Sequence, residues 1–242
     1  WDAVSNRIIG GAQDTGTTQL RSPGSPIFDS LSTGDGGDVV VEDRSSATTS
    51  TRYTSFQNLS QLRRRTYDAN NAAISNVAPA RTLLNGSPAL VAQFYTPLSV
   101  NYASATRLVI GASNGVYESL DRADSIERVS TARINAFNGD PVVYGVAGNP
   151  GFLYFGAGTA LHLRTQDGAA LDSIATLPAT VVDVSADIND PQRLFAITQT
   201  SVHYSSDGGA NFSLVTGNLV SGLAPGRLRS MEYVPDVDPA LV

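Results

Sequence analysis

Short apolar runs, each followed by small or polar turn residues, succeed one another along most of this chain. Three segments share one pattern: an apolar run, a turn, a second run in which apolar and polar residues alternate, and then Ser or Thr, any residue, Asp. Alternation with a period of two is typical of half-buried strands, and Gly, Asn and Thr favour the turn between them. The pattern therefore predicts three β-hairpins, within Thr106–Asp121, Gly151–Gly168 and Gln192–Gly209.

The repeat continues towards the start of the chain in weaker form. Arg52–Asn70 ends in the same Thr-x-Asp sequence, and Asn6–Gly16 has only the first strand and its turn. Intervals of roughly 40 to 55 residues between repeats are typical of four-stranded propeller blades. We therefore expect an all-β, single-domain β-propeller of four-stranded antiparallel blades, with approximate units 1–43, 44–90, 91–140, 141–180 and 181–242.

The composition agrees with a β-rich globular domain. The chain has 242 residues, of which 41% are hydrophobic and 16% charged, so it can bury a sizeable core. Its 22 glycines and 12 prolines separate the apolar runs, and no run has the length and period of a long amphipathic helix. No apolar run reaches the roughly 18 residues of a membrane span, so we expect no transmembrane segment.

Charge and cysteine content exclude several function classes. The formal net charge is −6, and arginine supplies all 16 residues of the Lys+Arg count. Such a chain has little with which to neutralise a phosphate backbone, so nucleic acid is not an expected partner. The one dense basic run, Arg63–Arg65, is interpreted as a solvated or salt-bridged patch. The absence of cysteine excludes disulfides, cysteine zinc sites and thiol catalysis.

The stretch Ser205–Phe212 holds the most complete copy of the repeated turn. It fits the pattern Ser/Thr, x, Asp, x, Gly, x, x, aromatic through Ser205, Asp207, Gly209 and Phe212. In such a turn the Asp accepts hydrogen bonds from nearby backbone N–H groups, the Gly permits positive φ, and the aromatic side chain is buried. The other copies keep only the first half of the pattern: Ser119 and Asp121, Thr165 and Asp167, Thr66 and Asp68.

These turns resemble those of the Asp-box, or BNR-repeat, β-propellers, a group that includes sortilin-type receptor ectodomains, sialidases and xyloglucanase-type glycoside hydrolases. The resemblance covers most of the chain at the level of blades. It implies that the repeated aspartates are structural clips on outer hairpins, away from the central funnel. The Arg-Ile-Pro-type segment that sialidases carry near their start is absent, so sialidase chemistry is not expected.

Two glycine-rich stretches, Gly10–Gly16 and Thr33–Asp43, resemble segments of a bacterial subgroup related to the xyloglucanase and sortilin-type propellers. In its hydrolases an Asp in a comparable Gly-Asp-x-Gly setting does acid/base work, which implies Asp35 as a catalyst with Asp14 as its partner carboxylate. Alternatively, both are turn aspartates that bind their own backbone. A third interpretation is a calcium site with four carboxylate ligands, Asp35, Asp38, Glu42 and Asp43. The spacing of these four residues does not match an EF-hand loop.

The remaining candidate chemistry is sparse, and no other cofactor is expected. The two histidines, His162 and His203, fall at matching points of two hairpins and are interpreted as strand residues rather than catalysts or metal ligands. The sequence Gly-Asp-Gly-Gly-Asp at residues 34–38 lacks the Lys and the Ser/Thr of a phosphate-binding loop.

Two function classes remain open. The first is a non-enzymatic extracellular or cell-surface interaction module within a larger secreted protein. The second is a polysaccharide-active glycoside hydrolase of xyloglucanase type. With 7% aromatic residues and one Trp, the chain has few side chains to line a glycan cleft, which favours the interaction module.

The partner and location follow from this preference. We expect a protein or glycan ligand, or other parts of the same large protein, as the partner. We expect the protein outside a bacterial cell or at its surface, with an export signal that lies outside this chain. Residues 233–242 resemble the approach to a further blade, so the chain is expected to be a piece of a longer polypeptide with an incomplete ring.

Overall fold

Five β-sheets follow one another along the chain. The computed structural model describes residues 1–134, 141–222 and 227–234, so the end of the predicted approach to a further blade, residues 235–242, lies outside the described part. The repeat pattern predicts a single domain, whereas the contacts divide the chain into two compact units, Trp1–Thr131 and Ala132–Val242. Each unit is described by itself.

The first unit contains three sheets. The first has three antiparallel strands, the second four, and the third four antiparallel strands with one short parallel strand at its edge. A 3-10 helix, Gln57–Leu59, connects the second and third strands of the second sheet. In chain order the strands are β1 (Ile9–Ala12), β2 (Gly16–Leu20) and β3 (Phe28–Ser30); β4 (Gly36–Glu42), β5 (Thr49–Phe56), β6 (Arg63–Asp68) and β7 (Ala73–Val77); and β8 (Thr82–Leu83), β9 (Leu98–Val100), β10 (Leu108–Ala112), β11 (Gly115–Ser119) and β12 (Ser125–Ser130).

The second unit contains two sheets, each of four antiparallel strands joined in sequence order. A second 3-10 helix, Leu219–Gly222, follows the last strand. The strands are β13 (Val142–Val146), β14 (Asn149–Ala157), β15 (Ala160–Arg164) and β16 (Asp172–Thr176); and β17 (Asp183–Ala186), β18 (Leu194–Ile197), β19 (Val202–Ser205) and β20 (Ser213–Leu214).

The predicted all-β architecture and its hairpins are confirmed. The three repeats form the antiparallel pairs β10–β11, β14–β15 and β18–β19, which are the middle strands of their sheets. In the strand β10 every residue is buried. The weaker repeats form β5–β6 and β1–β2.

The first sheet boundary differs from the expected division at residue 43. The strand β4, which the sequence pattern assigns to the unit 1–43, pairs with β5 in the second sheet. The reason is local: Glu42 accepts hydrogen bonds from the backbone N–H groups of Arg44 and Ser45, so the acidic stretch closes a hairpin turn. The connection between the two sheets lies earlier, at residues 31–35 between β3 and β4.

Each unit has a core between consecutive sheets. In the first unit, Tyr53 from the second sheet packs in one buried cluster with Leu108, Ile110 and Tyr117 from the third. In the second unit, Tyr154 and Leu161 from the fourth sheet pack with Leu194 from the fifth. Burial of such aliphatic and aromatic side chains between sheet faces is what stabilises a stack of sheets.

Candidate functional site

The two aspartates proposed as catalysts lie together at the junction of the first and second sheets. Asp14 is in the turn between β1 and β2, where its φ of 64° places it in the left-handed region. Its backbone N–H donates a 2.8 Å hydrogen bond to Oδ1 of Asp35, and the Asp35 carbonyl accepts a hydrogen bond from the N–H of Gln57. The structure therefore joins the two residues through the backbone of one and the side chain of the other.

Close backbone approach explains the glycines around these aspartates. A Cβ added to Gly36 would lie 2.5 Å from the carbonyl oxygen of Gly16 and 2.7 Å from the backbone nitrogen of Ala12. The start of β4 thus packs directly against the β1–β2 hairpin, at a separation that leaves no room for a side chain. The two glycine-rich stretches, Gly10–Gly16 and Thr33–Asp43, therefore meet in one backbone contact.

The four carboxylates considered for calcium bind separate backbone groups. Asp35 accepts from Asp14, Asp38 from Leu98, Glu42 from Arg44 and Ser45, and Asp43 from Ala3. Within the described residues no group of three or more His, Asp or Glu side chains converges in a way that could hold a metal ion. The proposed calcium ligands are therefore not brought together.

Two buried aspartates occupy equivalent places in the two units. Asp38 near the start of β4 accepts 2.7 Å hydrogen bonds from the N–H groups of Val39 and Leu98, and Asp183 at the start of β17 accepts 2.8 Å bonds from those of Val184 and Met231. Burial raises the pKa of both carboxyls above the ordinary value, and that of Asp183 reaches about 6. Each carboxylate ties the first strand of a sheet to a segment further along the chain, 60 residues on for Asp38 and 48 for Asp183.

The raised pKa of Asp183 predicts a specific pH dependence of stability. The folded state holds the proton of this carboxyl more tightly than the unfolded chain, so the resulting stabilisation is present below about pH 4 and is lost as the pH rises through 6. Between pH 5 and 7 we expect the free energy of unfolding to fall by about 1 kcal/mol more for the wild type than for Asp183→Asn. Urea unfolding at a series of pH values measures this difference.

A control at the same contact separates titration from packing. Ser185 accepts a 3.0 Å hydrogen bond from the N–H of Tyr233, on the same strand as Asp183. We expect Ser185→Ala to lower the free energy of unfolding equally at pH 5 and pH 7, because a hydroxyl does not titrate in this range. Parallel pH profiles for the wild type and Asp183→Asn would contradict the assignment.

A buried ion pair links Asp2, in the segment before the first sheet, to Arg52 in the second sheet. The side chains of Arg52 and Asp2 are 1% and 0% exposed, and the Arg52 guanidinium donates to Asp2 Oδ2 through both Nε and Nη2. Arg52 also donates to Ser5 and Asn71, and its guanidinium lies 3.9 Å from the ring centroid of Tyr67. Burial by itself raises the pKa of Asp2, but hydrogen bonds from Ser50, Ser5 and Arg52 outweigh it and hold the pKa below its usual value.

The Ser-x-Asp turns of the strongest repeats have the same hydrogen-bond pattern. The Ser205 hydroxyl donates to Asp207 Oδ1 at 2.8 Å and accepts from the N–H of Gly209 at 2.9 Å, while Asp207 accepts from the backbone and side chain of Asn211. The bonds from Asn211 and Ser205 lower the pKa of Asp207 to about 2. Ser119 and Asp121 repeat these contacts, with Ala123 and Ser125 as partners.

Of the two other turns, the one at Asp68 keeps part of this pattern and the one at Thr165 has different contacts. Asp68 Oδ1 accepts hydrogen bonds from the N–H groups of Asn70 and Ala72, while Thr66 lies within β6 opposite Thr51. At the remaining turn the Thr165 carbonyl accepts from Asn149, and the backbone of Asp167 packs closely against Gly151. Phe212 is partly buried against the core of the second unit, as the aromatic position of the motif predicts.

The two histidines and Arg64, the middle residue of the arginine run, make structural contacts. His162 stacks on Phe155 across the strand pair β14–β15 at 4.9 Å, and His203 Nε2 lies 2.9 Å from Ser201 Oγ. Burial lowers the pKa of both imidazoles. Arg64 pairs with Asp124 at 3.0 Å, so one member of the predicted basic patch is salt-bridged.

Sequence reasoning missed Asp183 and the Arg52–Asp2 pair, and it considered Asp38 only as a calcium ligand. Asp38 and Asp183 are each followed by Val at the start of a first strand, in Asp-Val-Val-Val and Asp-Val-Ser-Ala, and this shared pattern could have identified them. No local signal marks the Arg52–Asp2 pair, because its members are 50 positions apart.

Comparison with known proteins identifies the fold but no family. No protein-family model matches the chain, and no match was found among curated proteins. An ancestral GH74 enzyme has a similar structure with a TM-score of 0.52 and 14% identity, over 76% of this chain and 25% of that enzyme. The chain thus spans about a quarter of the GH74 enzyme's length.

Two further solved structures are similar to a comparable degree. YCF48 from Cyanidioschyzon merolae has a TM-score of 0.53 and 12% identity, over 82% of this chain and 66% of that protein. Sqt1 from Saccharomyces cerevisiae has a TM-score of 0.56 and 12% identity, over 87% of this chain and 58% of that protein. At these identities the likeness establishes the architecture, a β-propeller type built from four-stranded antiparallel sheets.

Proposed function

We propose that this chain is a non-enzymatic interaction module, built from Asp-box propeller blades, of a larger extracellular or cell-surface bacterial protein. The observation that carries the proposal is the hydrogen bond from the Asp14 N–H to the Asp35 carboxylate. The carboxylate that the related hydrolases use for acid/base chemistry is here bound to the backbone of its own proposed partner. That arrangement suits a pair of turn aspartates.

Two other features support a binding role. The matching contacts of Ser119 with Asp121 and of Ser205 with Asp207 support the Asp-box assignment, which makes the outer turns part of the scaffold. Large apolar side chains of the first sheet and its flanks are also about half exposed, and three of them, Trp1, Ile8 and Phe28, lie around one surface depression. Clustered apolar surface of this kind marks contact with another protein, or with another part of the same protein.

A glycoside hydrolase is the alternative function. The structural likeness to an ancestral GH74 enzyme favours it, and Asp35 with Asp14 would be its carboxylate pair. Since the likeness covers only 25% of that enzyme, its activity comes to this chain only as a proposal.

A hydrolysis assay distinguishes the two functions. We expect the purified chain and its Asp35→Asn variant to release no reducing ends from a panel of soluble β-glucans. The matched control is Asp29→Asn, which changes another exposed carboxylate of the first sheet, one that pairs with Arg21 at 2.7 Å. Hydrolysis by the wild type and Asp29→Asn that is abolished in Asp35→Asn would establish the hydrolase instead.

A further inference from the structure

A small polar pocket opens beside the loop that carries Asp35. Its volume is about 190 Å³, and it lies between the end of β5, the start of β6 and the loop before β4. Hydroxyl, amide and guanidinium groups line most of it, together with one half-buried aromatic ring: Ser32, Thr54, Gln61, Arg63, Arg65 and Phe56.

The alternation of β6 directs two arginines to this pocket. Arg63 and Arg65 are separated by one residue and therefore lie on the same face of the strand, whereas Arg64 lies on the other face and binds Asp124. Arg65 donates a 2.6 Å hydrogen bond to the Thr54 hydroxyl, which holds its guanidinium at the pocket wall. Arg63 donates to Gln61 Oε1 at 3.2 Å.

Neither guanidinium is neutralised by a carboxylate. In the part of the chain that the structure describes, Arg63 and Arg65 form no ion pair, while Arg21, Arg52 and Arg64 of the same unit each bind an aspartate. A guanidinium has five N–H donors, and the contacts above use one on each arginine. Both arginines line the pocket, and its lining contains no carboxylate, so the charge of the pocket wall is positive.

Such a pocket has the chemistry of an oxyanion site. Planar guanidinium groups bind carboxylate, sulfate or phosphate oxygens through paired, charge-assisted hydrogen bonds. The net charge of −6 gives the whole chain no general attraction for polyanions, so the contact must be local. The volume is below the roughly 300 Å³ at which pockets for drug-sized ligands begin, which fits one acidic ring or group rather than an extended ligand.

We propose that this pocket binds a uronate residue of an acidic polysaccharide. The carboxylate would take the free donors of Arg63 and Arg65, and the sugar hydroxyls would exchange hydrogen bonds with Ser32, Thr54 and Gln61. The hydroxyl-rich lining favours a sugar over an acidic peptide, which brings few hydroxyl groups. This inference rests on the proposed function and names the ligand class of the interaction module.

Calorimetric titration of the purified chain with trigalacturonate tests the pocket. We expect binding of trigalacturonate and none of the neutral trisaccharide of galactose. The double variant Arg63→Gln/Arg65→Gln is expected to weaken binding at least about tenfold, because charge-assisted hydrogen bonds are lost. The control, Arg21→Gln, removes one positive charge from the first sheet, away from the pocket, and should change the affinity less than about twofold.

Each other outcome overturns a defined part of the proposal. Absence of trigalacturonate binding, or an equal loss in Arg21→Gln, overturns the pocket. Equal or tighter binding of hexaglutamate overturns the assignment to a sugar. If thermal unfolding shows that the double variant is not folded, the single variant Arg63→Gln takes its place with the same expected loss, because the hydrogen bond described for the Arg63 side chain is the exposed one to Gln61. Cleavage of trigalacturonate, detected by mass spectrometry, would overturn the non-enzymatic function but not the pocket.

Discussion

Arg52→Ala is expected to lower the free energy of unfolding by about 3–5 kcal/mol, because it leaves the carboxylate of Asp2 buried without its counter-charge. The same change removes the hydrogen bonds of Arg52 to Ser5 and Asn71 and its contact with the Tyr67 ring. Chemical denaturation of the wild type and the variant at neutral pH measures the loss.

The control for Arg52 is Arg64, an arginine of the same sheet whose partner carboxylate is solvent-accessible. The Arg64 side chain is 15% exposed, but Asp124 is 50% exposed and stays hydrated without it, so Arg64→Ala should cost only about 1 kcal/mol. Equal losses for Arg52→Ala and Arg64→Ala would show that burial of the Arg52–Asp2 pair does not have the energetic role described.

Gly16→Ala should lower the free energy of unfolding by about 3 kcal/mol or more, since it combines a strained backbone with a steric overlap. Gly16 has a φ of +78°, which disfavours any residue with a Cβ, and the added Cβ would overlap the carbonyl oxygen of Ser32. Because that oxygen belongs to the backbone of the loop leading to Asp35, the loop itself must move. Urea unfolding of the purified variant checks the size of the effect.

Gly24 supplies a matched control for this prediction. It has nearly the same φ, +76°, in the same region of the chain, but a Cβ there would meet nothing within 4 Å. Gly24→Ala should therefore show the backbone cost alone, about 1 kcal/mol. A loss at Gly16 that does not exceed the loss at Gly24 would mean that the loop before β4 does not pack against the β1–β2 hairpin.

The local sequence pattern was sufficient to predict the hairpins and their turns. The apolar run, turn and alternating run around Leu108–Ser119 and Leu194–Ser205 predicted hairpins that are formed, because the turn falls at small or polar residues between two β-prone runs. Ser205 and Asp207 could be interpreted from their spacing alone, since the contacts they make are with residues of the same turn.

The sheet boundary and the site depended on longer-range contacts. Glu42 closes a turn within the second sheet, but in the sequence the acidic stretch resembles the end of a unit. Asp14 and Asp35 are 21 positions apart, and their sequence setting was compatible with a catalytic pair as well as with two turn residues. The role of Arg63 and Arg65 depends on which face of β6 they occupy and on the absence of a nearby carboxylate, neither of which is visible in a run of three arginines.

The most direct measurement is a crystal structure of the chain grown with trigalacturonate. A binding module of the kind proposed predicts an intact trisaccharide with one carboxylate held by Arg63 and Arg65. A cleaved product lying between Asp14 and Asp35, or a ligand bound away from the two arginines, would contradict it.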